Sequence, residues 1–202
     1  MNTGYRPVPA RVAEPADIDA VVAALTTAFF EDPLWGPAFP DPDRRAVQAA
    51  AMWRLYVTSA QRYPWTLVTP GVEAVAVWIP PGGTELTPTE ESGFADFLAD
   101  CAGPEAAAGI IGICELLEAA RPSEPHFYLT LLGTHDDHRG KGLGMGVLAE
   151  SLTRVDALGA PAYLESSNPA NDARYEKAGF VARDRITTAT GHVVTTMWRP
   201  AR

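Results

Sequence analysis

The chain has 202 residues, 47% of them hydrophobic and 20% charged, a composition that excludes a disordered polypeptide. The length suits one large domain or two small ones burying roughly 70% of the unfolded surface, with no disulfide needed to hold a core. Sixteen Lys plus Arg against 25 Asp plus Glu leave a net charge of −9. That balance disfavours nucleic acids and anionic membranes and favours a cationic small molecule. Any anionic ligand requires a local basic site.

Cys101 and Cys114 stand apart with no C-x-x-C spacing and no His pair beside them, which argues against structural zinc and predicts two free thiols. Residues 1 to 11 contain no apolar core of the signal-peptide kind, and the longest apolar run, Ala106 to Cys114, is too short to span a bilayer. A cytoplasmic protein is expected.

Taken in order, Ala10 to Ala13 predicts a short strand and Pro15-Ala-Asp17 a helix start with Asp17 as N-cap. Val21, Val22, Leu25, Ala28 and Phe29 recur at helical spacing from Ile18. Three prolines and a glycine between Glu31 and Asp41 predict no regular structure there, and a second helix follows from about Asp43 to Gln61. Trp65 to Thr69 and Val72 to Ile79 predict a hairpin around Pro70-Gly71. Pro88 to Leu117 predicts one or two helices, broken near Gly103-Pro104.

The pattern then becomes strand, glycine loop, helix, strand, helix, strand. His126 to Leu132 is an apolar strand, and Leu143, Val147, Leu148, Leu152, Val155 and Leu158 recur at helical spacing. Ala162 to Glu165 predicts a buried strand, Asn168 to Lys177 a short helix stopped by Gly179, and Phe180 the start of a last strand pair around Gly191.

Gly140, Gly142, Gly144 and Gly146 alternate at the junction of strand and helix, beside His138, Arg139 and Lys141. A helix start offers unpaired backbone N–H groups and the positive end of the helix dipole, and glycine lets an oxyanion approach closely. This is the local basic site, and a phosphate or pyrophosphate suits it. The P-loop spacing fails because Lys141 precedes Gly142 and the required earlier glycine is His135, and the dinucleotide pattern G-x-G-x-x-G fails at Met145 and Val147.

The segment does match R-x-x-G-x-G, as Arg139, Gly142 and Gly144. With Tyr163-Leu-Glu-Ser-Ser-Asn168 and Arg174-Tyr-Glu-Lys-Ala-Gly-Phe180, it resembles the GNAT superfamily of N-acetyltransferases, most strongly over residues 126 to 200. The resemblance implies an α/β (α+β) fold: a mixed, mostly antiparallel sheet of about seven strands flanked by helices, with an extra helical insertion before the core strand. It implies a single domain over residues 1–202. In it, 1–125 form the substrate side with the insertion at 86–120, and 126–202 the acetyl-CoA side.

By the same resemblance, acetyl-CoA is held by Leu132, Gly133, Thr134, Arg139, Gly140, Lys141, Gly142, Leu143 and Gly144. Asn168 reaches the pantetheine arm, with Asn171 as the alternative. A backbone N–H within Leu132 to Thr134 holds the tetrahedral oxyanion, an electrostatic contribution of about 3 to 4 kcal/mol per donor, and Gly133 permits distortion of the strand. Tyr175 occupies the general-acid position, because a phenol is protonated at neutral pH and can donate to the leaving thiolate. Glu165 is the candidate base, with a structural carboxylate paired to an Arg as the bland alternative. Glu31 and Asp32 are competing acids that attract an ammonium group or cap a helix end. The run His135-Asp-Asp-His138 is read as no metal site, since consecutive loop residues do not readily converge on one ion.

The run Leu132 to Gly144, Pro161-Ala-Tyr-Leu-Glu-Ser-Ser, Val75-Ala-Val-Trp78 and Arg121-Pro-Ser-Glu-Pro125 resemble puromycin N-acetyltransferase and its relatives. That implies an antibiotic-modifying enzyme acting on a small primary amine, an aminonucleoside such as puromycin among them, as a monomer or homodimer without metal, nucleic acid or membrane. Phe30, Trp35, Phe39, Trp53 and Tyr56 are candidates to stack on an aromatic group, with ordinary core packing as the alternative for each. Two other readings stay open: acetylation of a protein or peptide amine, and a non-catalytic acyl-CoA sensor.

Overall fold

In the computed structural model, which describes residues 4–202, the strand Ala74–Ile79 is buried at every position. Val75, Val77 and Ile79 enter one core while Ala74, Ala76 and Trp78 enter another. A strand without a polar face must lie inside a sheet covered on both sides. Among the described residues the sheet has seven strands: β1 (Arg11–Val12), β2 (Thr66–Val68), β3 (Ala74–Ile79), β4 (Phe127–Thr134), β5 (Ala162–Ser166), β6 (Val181–Thr187) and β7 (Val193–Arg199). Their order is β1-β2-β3-β4-β5-β7-β6, and every pairing is antiparallel except β4 with β5. The expected mixed, mostly antiparallel sheet flanked by helices is therefore observed.

One face of the sheet carries α1 (Ile18–Phe29), α3 (Arg45–Ala60), α4 (Pro88–Ala102) and α5 (Pro104–Ala120). The periodic Val21, Val22 and Leu25 of α1 pack there with Trp53 and Val57 of α3, Phe94 and Leu98 of α4, and Ile110 of α5. The other face carries α6 (Leu143–Ala157), whose Val147, Leu148, Leu152 and Val155 meet Ala74, Ala76 and Trp78. The insertion is thus part of the main core. Thr87 and Glu90 cap α4 reciprocally, and Glu90 also accepts from Ser59 Oγ at 2.7 Å, which ties the insertion to α3. Gly103, at φ 88°, makes the break to α5.

Several local expectations change. The first strand shortens to two residues. Asp17 does not cap α1, because its carboxylate is engaged by Arg11 at 2.5 and 2.8 Å and by the Glu14 N–H at 2.7 Å. Those donors, Arg11 foremost, hold its pKa down at about 2. Between Glu31 and Asp41, where no regular structure was expected, Trp35–Ala38 form a one-turn helix, α2. β3 begins at Ala74, since Val72 (φ 61°) belongs to a turn closed onto Thr69. The Asn168 helix divides into a 3-10 turn, Pro169–Asn171, and α7 (Asp172–Lys177). Phe180 precedes β6 and is buried against α6. Cys101 and Cys114 are free, and among the described residues no helix is long and apolar enough to cross a membrane.

Arg199 joins three elements at the end of β7. Its side chain is fully buried, pairs with Asp156 of α6 at 2.5 and 2.8 Å, and donates from Nε to the carbonyl of Ala178, just past α7, at 3.2 Å. Removing the carboxylate leaves a buried guanidinium uncompensated. Asp156→Ala is therefore expected to lower stability by about 3 to 5 kcal/mol, seen as a lower urea midpoint at unchanged slope.

Candidate active site

β4 and β5 run side by side only where Phe127, Tyr128 and Leu129 pair with Ala162, Tyr163 and Leu164. Beyond that point β4 continues along β3 while β5 continues along β7, so the two strands part. A cavity of about 1140 Å³ opens at the divergence, and Thr130, Leu131, Leu132, Gly133 and Thr134 line it. Along this stretch β4 has no strand partner on its β5 side, leaving alternate backbone N–H groups free for a ligand. The irregularity in β4 lies opposite Val77 and Trp78, at Thr130, and not at Gly133. Gly133 serves close packing instead. A Cβ there would stand 3.0 Å from Ala28 Cβ and 3.1 Å from Leu25 Cδ2, so its absence lets α1 sit against the strand.

One end of the cavity is the glycine loop. A 3-10 turn, Asp136–His138, leads to Gly140 (φ 78°) and Gly142 (φ 74°), the residue before α6. These left-handed positions favour glycine and turn the chain so that the first amides of α6 face outward. Gly140, Gly142, Leu143, Gly144, His138 and Arg139 all line the cavity. The two cations of this loop are not free, however. Arg139 Nη2 donates to the carbonyls of Thr27 at 2.7 Å and Ala28 at 3.3 Å, holding the end of α1. Lys141 turns back to the Asp137 carbonyl and His138 Nδ1, and it lies outside the lining. Backbone amides and the helix dipole are left as the main anion-binding elements.

The same turn overturns the argument against a metal cluster. It folds His135, Asp136 and Asp137 so that one ligand atom of each lies within 4.8 Å of the others. His135 Nδ1 is 3.1 Å from Asp136 Oδ1 and 3.7 Å from Asp137 Oδ2, the geometry of an exposed ion pair.

Tyr175, Asn168 and Asn171 lie on the wall formed by α7 and the turn before it. Tyr175 meets Phe180 edge-on at 6.3 Å, and burial, followed by the nearby Asp32 charge, raises its pKa so that the phenol keeps its proton. Asn168 Oδ1 accepts from the Ala170 N–H and Asn171 Oδ1 from Arg174, so both amides also hold local structure. Asp32 is fully occupied. One oxygen accepts from the N–H groups of Leu34 and Trp35, which forms α2, and the other accepts from Ser167 Oγ at 2.8 Å. Of the two competing acids, only Glu31 keeps an unbonded carboxylate at the cavity.

The opposite end is aromatic and acidic. Trp35 stands edge-on to Trp53 at 5.4 Å, Tyr56 edge-on to Phe94 at 5.9 Å, and all four line the cavity with Phe29. Phe30 does not. One helical step from Phe29, it turns away and lies under Arg45 at 5.2 Å. Phe39 is buried in the core. Glu85, Glu91, Glu115 and Glu118 bring negative charge to this end, and Arg121 is the cation among them.

Glu165 is half-buried on β5 and lines this chamber, with its Oε1 out of reach of solvent. Burial pushes its carboxyl up to about 7, against the pull of the Arg121 guanidinium and the hydroxyls of Tyr128 and Tyr163. Its Oε1 has no hydrogen-bond partner. Arg121 does not pair with Glu165 directly. It bonds Glu85 at 2.9 Å and stacks on Tyr128 at 3.9 Å, while Thr130 Oγ1 donates to the other Glu85 oxygen in a short contact. Sequence reasoning missed Glu85, Tyr128 and Thr130, because Glu85 stands 36 and 45 positions from its partners and no spacing rule joins them.

A family model described as the acetyltransferase (GNAT) family matches residues 74–180. Among solved structures, a Corynebacterium glutamicum protein described as histone acetyltransferase HPA2 and related acetyltransferase is similar over 98% of each chain, with 24% identity and a TM-score of 0.71. The Drosophila melanogaster polyamine N-acetyltransferase, which forms N-acetylagmatine, is similar over 95% of this chain and 99% of its own (15% identity, TM-score 0.64). Arylalkylamine N-acetyltransferase 2 of Aedes aegypti covers 96% and 99% respectively (14% identity, TM-score 0.62).

The double role of Asp32 is open to measurement. Asp32→Ala removes the acceptor for the Leu34 and Trp35 N–H groups ahead of α2 and the tie to Ser167, and it is expected to cost about 1 kcal/mol, a fall of about 2 to 4 °C in the thermal midpoint.

Proposed function

The chain belongs to the GNAT acetyltransferase family, acyltransferases that use acetyl-CoA as co-substrate, and from that premise we propose direct acetyl transfer to the primary amine of a small cationic acceptor. The observation that carries this reading is one cavity joining the glycine loop, the open edge of β4, Tyr175 and half-buried Glu165 to an acidic, aromatic chamber. Acidic walls concentrate ammonium ions.

In the proposed sequence, the amides at the start of α6 hold the pyrophosphate of acetyl-CoA, and a free β4 amide faces the thioester carbonyl. Glu165 takes a proton from the acceptor ammonium, directly or through water. The neutral amine attacks, the β4 amide stabilises the oxyanion, and collapse expels the thiolate of coenzyme A. Tyr175 supplies its proton, and the second proton that the attacking nitrogen still carries passes to the resulting phenolate, so the amide leaves neutral and Tyr175 is restored. The raised pKa of the phenol suits this task, because the same buried setting raises the proton affinity of the thiolate.

The helical insertion that walls the acceptor end supports a small molecule over a protein lysine. Leu86 and Glu91 from the start of the insertion, with Ile111, Cys114 and Glu118 of α5, wall the chamber. Trp35 and Tyr56, with core Trp53 packed behind Trp35, favour an acceptor with a flat apolar body, so we place aminonucleosides such as puromycin among the candidates beside arylalkylamines and guanidino-amines, with activity in the cytoplasm.

Thiol release from acetyl-CoA with a panel of puromycin, agmatine, tryptamine, kanamycin and a lysine peptide tests the reading; release with the peptide alone would overturn it. Tyr175→Phe is expected to lower kcat about 100-fold with acetyl-CoA affinity nearly unchanged. For Glu165 the pH dependence has a definite direction. Activity should rise through about pH 7 as the carboxyl ionises, and Glu165→Gln should abolish that limb. Stability runs the opposite way. A carboxyl raised by burial contributes fully below about pH 4.5, and that contribution is lost as pH rises to about 7. Glu165→Gln is thus expected to unfold at higher urea than the parent at pH 8.

A further inference from the structure

A hydroxyl and a thiol meet in the wall of the aromatic end of the cavity. Half-buried Tyr56 of α3 and Cys114 of α5 both line it, and the Tyr56 hydroxyl lies 3.7 Å from Cys114 Sγ, its only hydrogen-bond partner among the described residues. Cys114 has no side-chain atom beyond its sulfur, so the hydroxyl beside it belongs to the same stretch of wall. The Tyr56 ring is held edge-on by Phe94 at 5.9 Å, which fixes where its oxygen sits.

A thiol is a poor partner for a phenol. Sulfur accepts hydrogen bonds weakly and S–H donates weakly, so either direction of this contact leaves the Tyr56 O–H under-used. If the phenol donates, its acceptor is soft and readily exchanged; if the thiol donates, the phenolic hydrogen has no acceptor among the described residues. Ionisation does not mend this. Burial pushes the Cys114 thiol up to about 12 and raises the Tyr56 phenol as well, so at neutral pH the pair is two neutral groups and not a thiolate bonded to a phenol. Glu85, in the same wall, is held by Arg121 and Thr130. A wall suited to a flat ring, with one donor lacking a good acceptor, recognises a ring that brings an oxygen.

We propose that Tyr56 is a specificity-determining residue of the acceptor site, donating its O–H to an oxygen carried on the aromatic body of the amine. This rests on the chamber receiving a flat-bodied amine, as proposed above. The substrate class is thereby narrowed to arylalkylamines whose ring bears a hydroxyl or ether oxygen. On binding, that oxygen replaces the Cys114 sulfur as partner of the phenol, exchanging a weak hydrogen bond for an ordinary one while the ring rests on the aromatic wall. An unsubstituted ring covers the phenol, shuts it off from water and gives it nothing in return.

The test uses the full chain with phenethylamine and its meta- and para-hydroxy forms, measuring kcat/KM for each by thiol release at saturating acetyl-CoA. The parent is expected to favour one hydroxy form over phenethylamine about tenfold or more, and Tyr56→Phe, which keeps the ring, to bring that ratio to about one. Thermal midpoints report whether the variant is folded. Cys114→Ser sets a stronger partner beside the phenol and is expected to lower the ratio several-fold, so it decides the matter if Tyr56→Phe does not fold. A ratio near one in the parent, or the parental ratio retained in folded Tyr56→Phe, overturns the inference. So does the parental ratio in Cys114→Ser where that variant has to decide. Release with agmatine or kanamycin but with none of the three aryl amines overturns this inference and leaves small-amine acetylation standing. No release with any small amine overturns both.

Discussion

The parting of β4 from β5 is the constraint on which the rest of the structure depends. Two parallel strands pair over three residues and then separate, because β4 remains with β3 and β5 turns to β7. Backbone N–H and C=O groups inside a protein are rarely left unpaired, so an opened sheet has to meet them with a ligand or water. The gap therefore creates a site and supplies its polar wall. It needs support from both sides: α6 packs under β3 and β4 on one face, and α1 presses on Gly133 from the other. Arg199 then ties β7, α6 and the end of α7 together, so the wall that bears Tyr175 is fixed to the strand that bounds the gap.

Charge follows the same division. The anion end of the cavity relies on helix N–H groups and left-handed glycines, with Arg139 and Lys141 spent on holding neighbouring backbone in place. Such a site binds a pyrophosphate without a large net positive charge. The other end gathers Glu85, Glu91, Glu115 and Glu118, and its one cation, Arg121, is neutralised by Glu85. A chain of net charge −9 thus presents two opposite fields in one cavity, because they arise from different sources: aligned backbone dipoles and ionised side chains.

The glycine-loop half of the fold was legible in the sequence because its determinants are local. A strand, four alternating glycines and a helix of regular apolar spacing lie within one continuous stretch, and Tyr175 sits in a short motif ended by Gly179 and Phe180. The aromatic end was legible only as a set of candidates, and helical rotation removed one of them: Phe30 lies under the Arg45 side chain, while Phe29, which the sequence marked only as a helix-core position, lines the cavity. Glu85, Tyr128 and Thr130 were invisible for a different reason. Their relation to Arg121 and Glu165 arises when the insertion helices close over the sheet, and no local periodicity records that contact. Competition among local options explains the smaller errors. Asp17 had a cap position available and took Arg11, while Asp32, in a proline-rich loop, found two amides to cap and so made a helix where none was expected.

The partial burial of Glu165 sets the terms for everything around it. A carboxyl exposed to water would ionise well below neutrality and make a weak base, whereas one wholly isolated in an apolar core would stay protonated at working pH. The observed surroundings lie between these limits. Desolvation raises the group, and Tyr128, Tyr163 and the once-removed Arg121 bring it back to about 7. Direct pairing with Arg121 would have lowered it too far. Glu85 prevents this by taking the guanidinium for itself, and Thr130, at the irregular turn of β4, holds the other Glu85 oxygen. The distortion of β4 that begins the gap is thereby joined to the carboxylate that keeps Arg121 from Glu165, so the shape of the cavity and the basicity of the Glu165 carboxyl come from one local arrangement.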